Sequence, residues 1–242
     1  MTAVTSRLIP AALAAATLGS PAAQAADAVF FDPPAAYLSS ADIPAGFYAG
    51  GLPTLLETLE DGSLDATLSA NRGGLIGPGE FNGARDSVDG DDGLIDGTCG
   101  PQSTTCASWF HGNGAEGVRF TFVGPGALPT AFGVVWTDAS PGASVTFSAT
   151  GADGRSLGSI TVSGFADNSN SATTGEDRFF GVTFSGGVKS IFISNSGGGI
   201  EVDHIQYGQM AAIPEPGAWA LLAAGLGVLA RRPRRSTPET QR

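Results

Sequence analysis

Basic residues are scarce in this 242-residue chain, which has 12 Lys and Arg against 23 Asp and Glu and a formal net charge of −11 at pH 7. Nucleic acids and anionic lipids attract proteins through clusters of lysine and arginine that neutralise phosphate groups. The composition therefore excludes a nucleic-acid-binding protein. It suits a soluble protein outside the cell, or one that binds divalent cations.

Histidine and cysteine are also rare, with two residues of each. Cys99 and Cys106 are close in sequence, and in an exported chain we predict a small disulfide loop rather than a metal site completed by His111. Because only His111 and His204 could serve as a general base, a Ser-His-Asp hydrolase is disfavoured. Residues 154–158 (GRSLG) match a nucleophile-elbow pattern but precede a strand-like run instead of a helix. We predict that the chain is not an enzyme, with a glycan hydrolase built on two carboxylates as an alternative.

Amphipathic helical patterns are missing as well, and short β-type runs separated by Gly-, Pro- and Asp-rich turns recur from residue 107 to residue 207. Within residues 118–123 (VRFTFV) and 144–150 (SVTFSAT), apolar and polar residues alternate as in a half-buried antiparallel sheet. The alternation changes phase within residues 200–207, which predicts a β-bulge near Asp203 or His204. The fold class we predict is all-β, an antiparallel two-sheet β-sandwich of the jelly-roll type.

The N-terminus differs in composition from this β-type region. Arg7, the apolar segment after it and the small residues of Ala23-Gln24-Ala25 predict a signal peptide over residues 1–25. Residues 26–213 then form the ectodomain, with six Lys and Arg and 21 Asp and Glu, a net charge of 6 − 21 = −15. This length is sufficient for one domain with a hydrophobic core.

The C-terminus, residues 214–242, combines a Pro-Glu-Pro tripeptide, the apolar run of residues 217–230 and an arginine cluster. At 1.5 Å per residue, a helix over this run covers only about two thirds of the roughly 30 Å hydrocarbon core. We predict a short hydrophobic helix that inserts transiently in the membrane, with the arginines on the cytoplasmic side.

This tail resembles the PEP-CTERM sorting signal of bacteria. The resemblance implies recognition by an exosortase-type membrane protease, removal of the tail, and delivery through the secretion machinery to the cell surface or the extracellular matrix. A single-span anchor without processing is the alternative. Segments within residues 50–208, such as DSVDGDDGLIDG and GGIEVDHIQYG, are similar to the ectodomain of one group of these proteins, which implies a secreted β-sandwich. The motif positions are Pro214, Glu215, Pro216, Arg231, Arg232, Arg234 and Arg235.

Two sets of acidic residues could hold a structural calcium ion, which takes six to eight oxygen ligands. The first set crowds one Gly- and Asp-rich segment, although its spacing is not that of an EF-hand. The second set follows only from analogy with jelly-roll carbohydrate-binding modules, in which calcium lies between an early strand and the last one. The first set is Asp86, Asp89, Asp91, Asp92 and Asp96, and the second is Glu57, Asp61 and Asp203.

Four residues are candidates for ligand binding. Glu176, Asp177 and Arg178 precede a strand, where loops at the rim of a sandwich expose side chains to ligands. A loop-anchoring ion pair is the alternative for these three. Trp109 is the tryptophan we expect to be exposed for stacking on sugar rings, whereas Trp136 is expected in the core.

Together these features predict an exported, non-catalytic component of the extracellular polysaccharide layer, with a structural or adhesive role. The alternative is a calcium-dependent carbohydrate-binding module, and a glycan hydrolase is the second alternative.

Overall fold

The computed structural model describes residues 27–38, 40–48, 55–77, 107–138, 142–165 and 175–208. Within these ranges the protein consists of 12 β-strands and two short 3-10 helices, Ser40–Asp42 and Gly114–Glu116. The predicted signal peptide, disulfide, C-terminal helix and sorting motif lie outside the described residues, as does the acidic set from Asp86 to Asp96. No helix in the described part of the chain is long and apolar enough to cross a membrane.

The strands form two antiparallel sheets, which confirms the predicted all-β class. The seven-stranded sheet has the order β1-β10-β7-β12-β5-β4, with β2 also paired to β12, and the five-stranded sheet has the order β3-β6-β11-β8-β9. The strands of the first sheet are β1 (Val29–Phe31), β2 (Leu55–Glu57), β4 (Gly74–Ile76), β5 (Ser108–His111), β7 (Ala131–Asp138), β10 (Arg178–Thr183) and β12 (Ile200–Gly208). Those of the second are β3 (Leu68–Ala70), β6 (Val118–Phe122), β8 (Ser144–Gly151), β9 (Ser156–Ser163) and β11 (Val188–Asn195).

One hydrophobic core lies between the sheets. In β8 buried and half-buried residues alternate strictly, because one face of the five-stranded sheet points to this core. Phe147 on β8 stacks on Phe180 of β10 with ring centroids 6.0 Å apart, so side chains from the two sheets meet directly. A second cluster covers the opposite face of the seven-stranded sheet, where Tyr37 and Phe47 pack with Phe179. That sheet is thus buried on both faces in its centre.

The last strand, β12, joins the seven-stranded sheet together by pairing with β2, β5 and β7. Its register with β7 shifts between Asp203 and Gln206, and His204 has a positive φ of 43°. This irregularity confirms the predicted bulge. It lets Ile200 and Val202 on one side of the shift, and Ile205 and Tyr207 on the other, all contribute to the same core.

Tyr207 provides a testable consequence of this packing. Burial raises the pKa of Tyr207 to about 12, and the Asp65 carboxylate adds to the rise, while a 2.8 Å hydrogen bond with the Thr67 hydroxyl opposes it. An unfolded tyrosine titrates near pH 10, so between about pH 10 and pH 12 the folded chain keeps a proton that the unfolded chain releases. Stability therefore falls as the pH rises through this range. We expect the fall to be smaller in Tyr207→Phe, measured as the urea midpoint against pH, and an equal fall in both proteins would contradict this role.

Candidate functional site

A cleft of about 460 Å³ opens at the edge of the molecule, between the two sheets. Its volume lies within the usual range for small-molecule sites, roughly 300 to 1,000 Å³. Among the described residues, three segments form its walls: the end of β1, the end of β9 and the start of β10. The lining residues are Asp32, Pro33, Pro34, Val162, Ser163, Gly164, Phe165, Arg178 and Phe180.

Local sequence explains why the chain turns away here and leaves an opening. Pro33 and Pro34 follow β1, and proline cannot donate the backbone hydrogen bonds that would continue the strand. Gly164 has a φ of +89° directly after β9, a conformation that ends the strand and suits glycine. The edge strand β1 of one sheet and the edge strand β9 of the other thus end beside each other.

Arg178 is the main polar group of the cleft. Its guanidinium Nη1 donates hydrogen bonds to the carbonyl oxygens of Asp177 (2.7 Å) and Gly175 (3.1 Å). Its Cζ lies 5.0 Å from the centre of the Phe165 ring, in a cation–π contact. Burial lowers the pKa of Arg178, and the negative charges of Asp177 and Glu176 oppose this shift. The guanidinium stays charged at neutral pH, because its pKa is normally above 12.

Glu176 and Asp177, predicted as ligand-facing together with Arg178, do not line the cleft. Both side chains are fully buried. They lie close enough to influence the titration of Arg178, so their charges compensate the guanidinium from inside the protein. Of the three predicted ligand-binding residues in this segment, the structure brings only Arg178 into the cleft.

An aromatic cluster supports the cleft from the core side. Phe165 meets Trp136 edge to face with ring centroids 5.2 Å apart, and it lies 6.5 Å from Phe180. Trp136 is fully buried, which confirms its predicted place in the core. Phe165 therefore contacts Trp136 behind it and Arg178 beside it. This fixes the ring that a ligand would meet.

Trp109 is not the exposed platform that we predicted. It is only partly accessible on β5 and packs edge to face against Phe120, with ring centroids 6.0 Å apart. Its indole N–H donates a 2.9 Å hydrogen bond to the carbonyl oxygen of Arg72. The indole is thus used to hold β5 to the turn after β3, and it does not lie in the cleft.

The proposed calcium ligands Glu57, Asp61 and Asp203 are not assembled into a metal site. Among the described residues, no group of three or more His, Cys, Asp or Glu side chains is placed to hold a metal ion. Glu57 instead accepts hydrogen bonds from the backbone N–H groups of Leu59 and Asp65. Asp61 accepts from Ser63, and Asp203 accepts from the N–H of His204 at the bulge. These carboxylates stabilise turns and the bulge of β12.

Sequence reasoning missed Asp32 and Phe165 as cleft residues. Asp32 lies in a stretch in which Pro33 and Pro34 argue against regular structure, so β1 was not predicted. Phe165 lies two positions after Ser163, the last residue of β9, and carries no local mark of function. Their common signal is positional, since each follows the end of an edge strand.

No protein-family model and no curated protein matches the chain. Among solved structures, it resembles the catalytic domain of a GH87 alpha-1,3-glucanase in complex with nigerose (19% identity, TM-score 0.35), covering 71% of this chain and 31% of that one. It also resembles the enzymatically active domain of tailspike protein 4 of bacteriophage CBA120, with 13% identity and a TM-score of 0.30. That match covers 59% of this chain and 19% of the tailspike chain. A third similar structure is TmCBM61 in complex with beta-1,4-galactotriose, with 10% identity and a TM-score of 0.26. That match covers 61% of this chain and 94% of the TmCBM61 chain. The chain thus spans less than a third of the first two.

Two of these structures are catalytic or enzymatically active domains, and they contradict the sequence-based prediction that this chain is not an enzyme. At these TM-scores, the similarities assign no reaction to the chain.

Proposed function

We propose that this protein is an exported component of the extracellular polysaccharide layer, and that it binds a neutral saccharide in the cleft at Arg178. The observation that carries the proposal is the juxtaposition of Arg178, Asp32 and the Phe165 ring in one opening. Saccharide sites combine an apolar surface for the sugar ring with a few fixed polar groups that bond its hydroxyls. We further propose that the two sheets form a jelly-roll-like sandwich.

The charges around the cleft favour a neutral ligand. Arg178 and Asp32 are the two charged residues among the described lining residues, and Glu176 and Asp177 are buried near the guanidinium. An anionic sugar would add a further negative charge to this group of carboxylates. The hydroxyls of a neutral sugar act as both donor and acceptor, so they match a cleft lined by a guanidinium donor and the acceptor oxygens of Asp32.

The location rests on the two ends of the chain. The signal peptide of residues 1–25 and the PEP-CTERM-like tail of residues 214–242 support export followed by exosortase-dependent sorting. An ectodomain with a net charge of −15 is consistent with a protein that stays soluble in a hydrated matrix. The structural calcium ion stays a prediction that depends on the acidic segment between Asp86 and Asp96.

Replacement of Arg178 tests the binding site. We expect Arg178→Ala to weaken retention of the purified chain on its host's neutral extracellular polysaccharide by about tenfold or more, since it removes a charge-assisted donor. Arg178→Lys should keep only part of the wild-type retention, because an ammonium group lacks the planar fork of a guanidinium. Affinity electrophoresis in gels that contain the polysaccharide measures the effect.

Arg155→Ala is the matched control, because Arg155 is exposed in the turn after β8 and pairs only with Asp153 among the described residues. Equal retention of Arg178→Ala and Arg155→Ala would refute the cleft as the binding site. Chelation of divalent ions in the same gels tests the calcium prediction separately, since loss of retention in the wild type would support it.

A further inference from the structure

Exposed large apolar side chains gather at one end of the molecule. Among the described residues there are five of them, and four share an end: Val29, Leu55, Leu56 and Val123, with exposed fractions of 53%, 54%, 43% and 51%. The fifth, Leu38 (52%), lies elsewhere, in the segment after β1 that bonds to Asp177 before β10. Single exposed apolar residues are common on soluble proteins, but their concentration at one end needs a cause.

The strand registers show that these residues share an end. In the seven-stranded sheet Val29 is opposite Thr183, Thr183 is opposite Ala131, and Ala131 is opposite Gly208. Leu55 is paired with Tyr207, the residue before Gly208. In the other sheet, the N–H of Val123 bonds to the carbonyl of Thr67, whose hydroxyl bonds to Tyr207. We call this end, defined by Val29, Leu55, Val123 and Gly208, the exit end.

The chain leaves the ectodomain at the exit end, because Gly208 is the last residue of β12. Nine residues further on, Gly217 begins the apolar run of the tail. At no more than about 3.5 Å per residue, this connection spans at most about 30 Å, and Pro214 and Pro216 limit its freedom. The exit end must therefore stay close to the point at which the tail enters a membrane.

The cleft lies at the other end of the same strands. Arg178 begins β10 and Thr183 ends it, and Ser163 ends β9 on the cleft side. Five residue steps along β10 separate Arg178 from the exit end, or about 17 Å at 3.3 to 3.4 Å per step. To bring the cleft to the bilayer, the connection between Gly208 and Gly217, which spans at most about 30 Å, would have to run back along the whole length of the domain.

We infer that, while the tail is inserted, the exit end rests on the surface of the membrane that holds the tail, with Val29, Leu55, Leu56 and Val123 in the interfacial region. The cleft then faces away from the bilayer toward the matrix. This orientation rests on the proposed membrane insertion of the tail. It assigns a role to exposed apolar residues that the cleft does not use.

The charges at the exit end determine whether anionic or zwitterionic lipid headgroups suit this surface. The described charged side chains there include Asp27, Asp65, Asp153, Arg155 and Lys189, and the Glu57 carboxylate accepts from the backbone N–H of Asp65, so four acidic residues stand against two basic ones. Lys189 already donates to the carbonyl of Phe122, and Arg155 pairs with Asp153. Anionic headgroups therefore gain little from this end, and contact depends on apolar side chains entering a zwitterionic interface.

Site-specific fluorescence in vesicles tests the orientation. The full chain is reconstituted in phosphatidylcholine vesicles as Val29→Cys, Leu55→Cys, Val123→Cys or Leu38→Cys, each labelled with one environment-sensitive dye, and wild type treated in the same way provides the blank. Doxyl-labelled phosphatidylcholine then quenches dyes that touch the bilayer surface. Leu38 is the matched control because its exposure equals that of the others. A fifth variant, Leu222→Cys, reports whether the tail itself inserts.

We expect strong quenching at position 222, and quenching at positions 29, 55 and 123 that is at least about twofold that at position 38. Strong quenching at position 222 with equal values at the four ectodomain positions would overturn the orientation and leave membrane insertion standing. No quenching at position 222 would refute the insertion and, with it, the orientation. Saccharide binding in the Arg178 cleft is unaffected by either outcome, because it is measured by the separate retention assay.

Discussion

Replacing Trp136 with alanine is expected to lower the free energy of unfolding by about 3 to 5 kcal/mol, the usual cost of truncating a buried tryptophan. Trp136 is fully inaccessible on the central strand β7 and belongs to the core between the sheets. It also supports the Phe165 ring of the cleft from behind, at 5.2 Å. The lost volume cannot be refilled by a flexible neighbour, since close-packed cores relax only partly around a cavity.

Trp136→Phe is the informative companion variant. The indole N–H of Trp136 is buried and finds no hydrogen-bond acceptor within the described residues. Phenylalanine removes that N–H while keeping an aromatic ring, so the loss of volume is partly offset and we expect a cost below about 1.5 kcal/mol. Urea unfolding followed by far-ultraviolet circular dichroism measures both variants. Equal losses of unfolding free energy in Trp136→Ala and Trp136→Phe would show that an aromatic ring at this position does not contribute to stability.

The second large effect concerns the tail. In its own host, we expect the wild-type chain to be recovered outside the membrane without residues 214–242, whereas a variant with Pro214, Glu215 and Pro216 changed to alanine keeps its tail and stays in the membrane fraction. The 29 residues of the tail account for about 3.1 kDa of the chain. Intact mass spectrometry of each fraction resolves this difference without ambiguity.

A second Pro-Glu pair beyond the arginine cluster supplies the control for the sorting experiment. Pro238 and Glu239 repeat the first two residues of the motif but lie on the C-terminal side of the apolar run and the arginine cluster. Their replacement by alanine should leave processing unchanged. If the wild type itself keeps Arg231 and Arg232 and remains in the membrane, the tail is a permanent anchor and the sorting proposal fails.

The strands of the second half of the chain could be predicted because their patterns reflect one-sided burial. Residues 144–150 alternate as they do in β8, and the phase change in residues 200–207 corresponds to the register shift of β12 beside His204. Both signals are local. Every second side chain along a strand faces the core, and the extra residue of a bulge restores this alternation where the sequence changes phase.

The short strands β1 to β4 and the cleft could not be predicted in the same way. β1 has three residues and is recognised only through its pairing with β10, which lies about 150 positions later in the chain. Glu176 and Asp177 look like an exposed acidic loop in the sequence, yet tertiary packing buries both. Burial of charged residues depends on contacts across the fold, and a local pattern carries no information about them.

The position of β12 in the middle of the seven-stranded sheet makes that sheet dependent on residues 200–208, the last described residues of the chain. A chain that emerges N-terminus first, during synthesis or during the proposed export, cannot complete this sheet until residues 200–208 have emerged, since β2, β5 and β7 all pair with them. Only five residues then separate Gly208 from Pro214. On the proposed export route, this sheet is therefore completed only when the tail begins to emerge. A product terminated before residue 200 lacks the strand that joins its sheet, and its unpaired strand edges leave it open to aggregation and proteolysis.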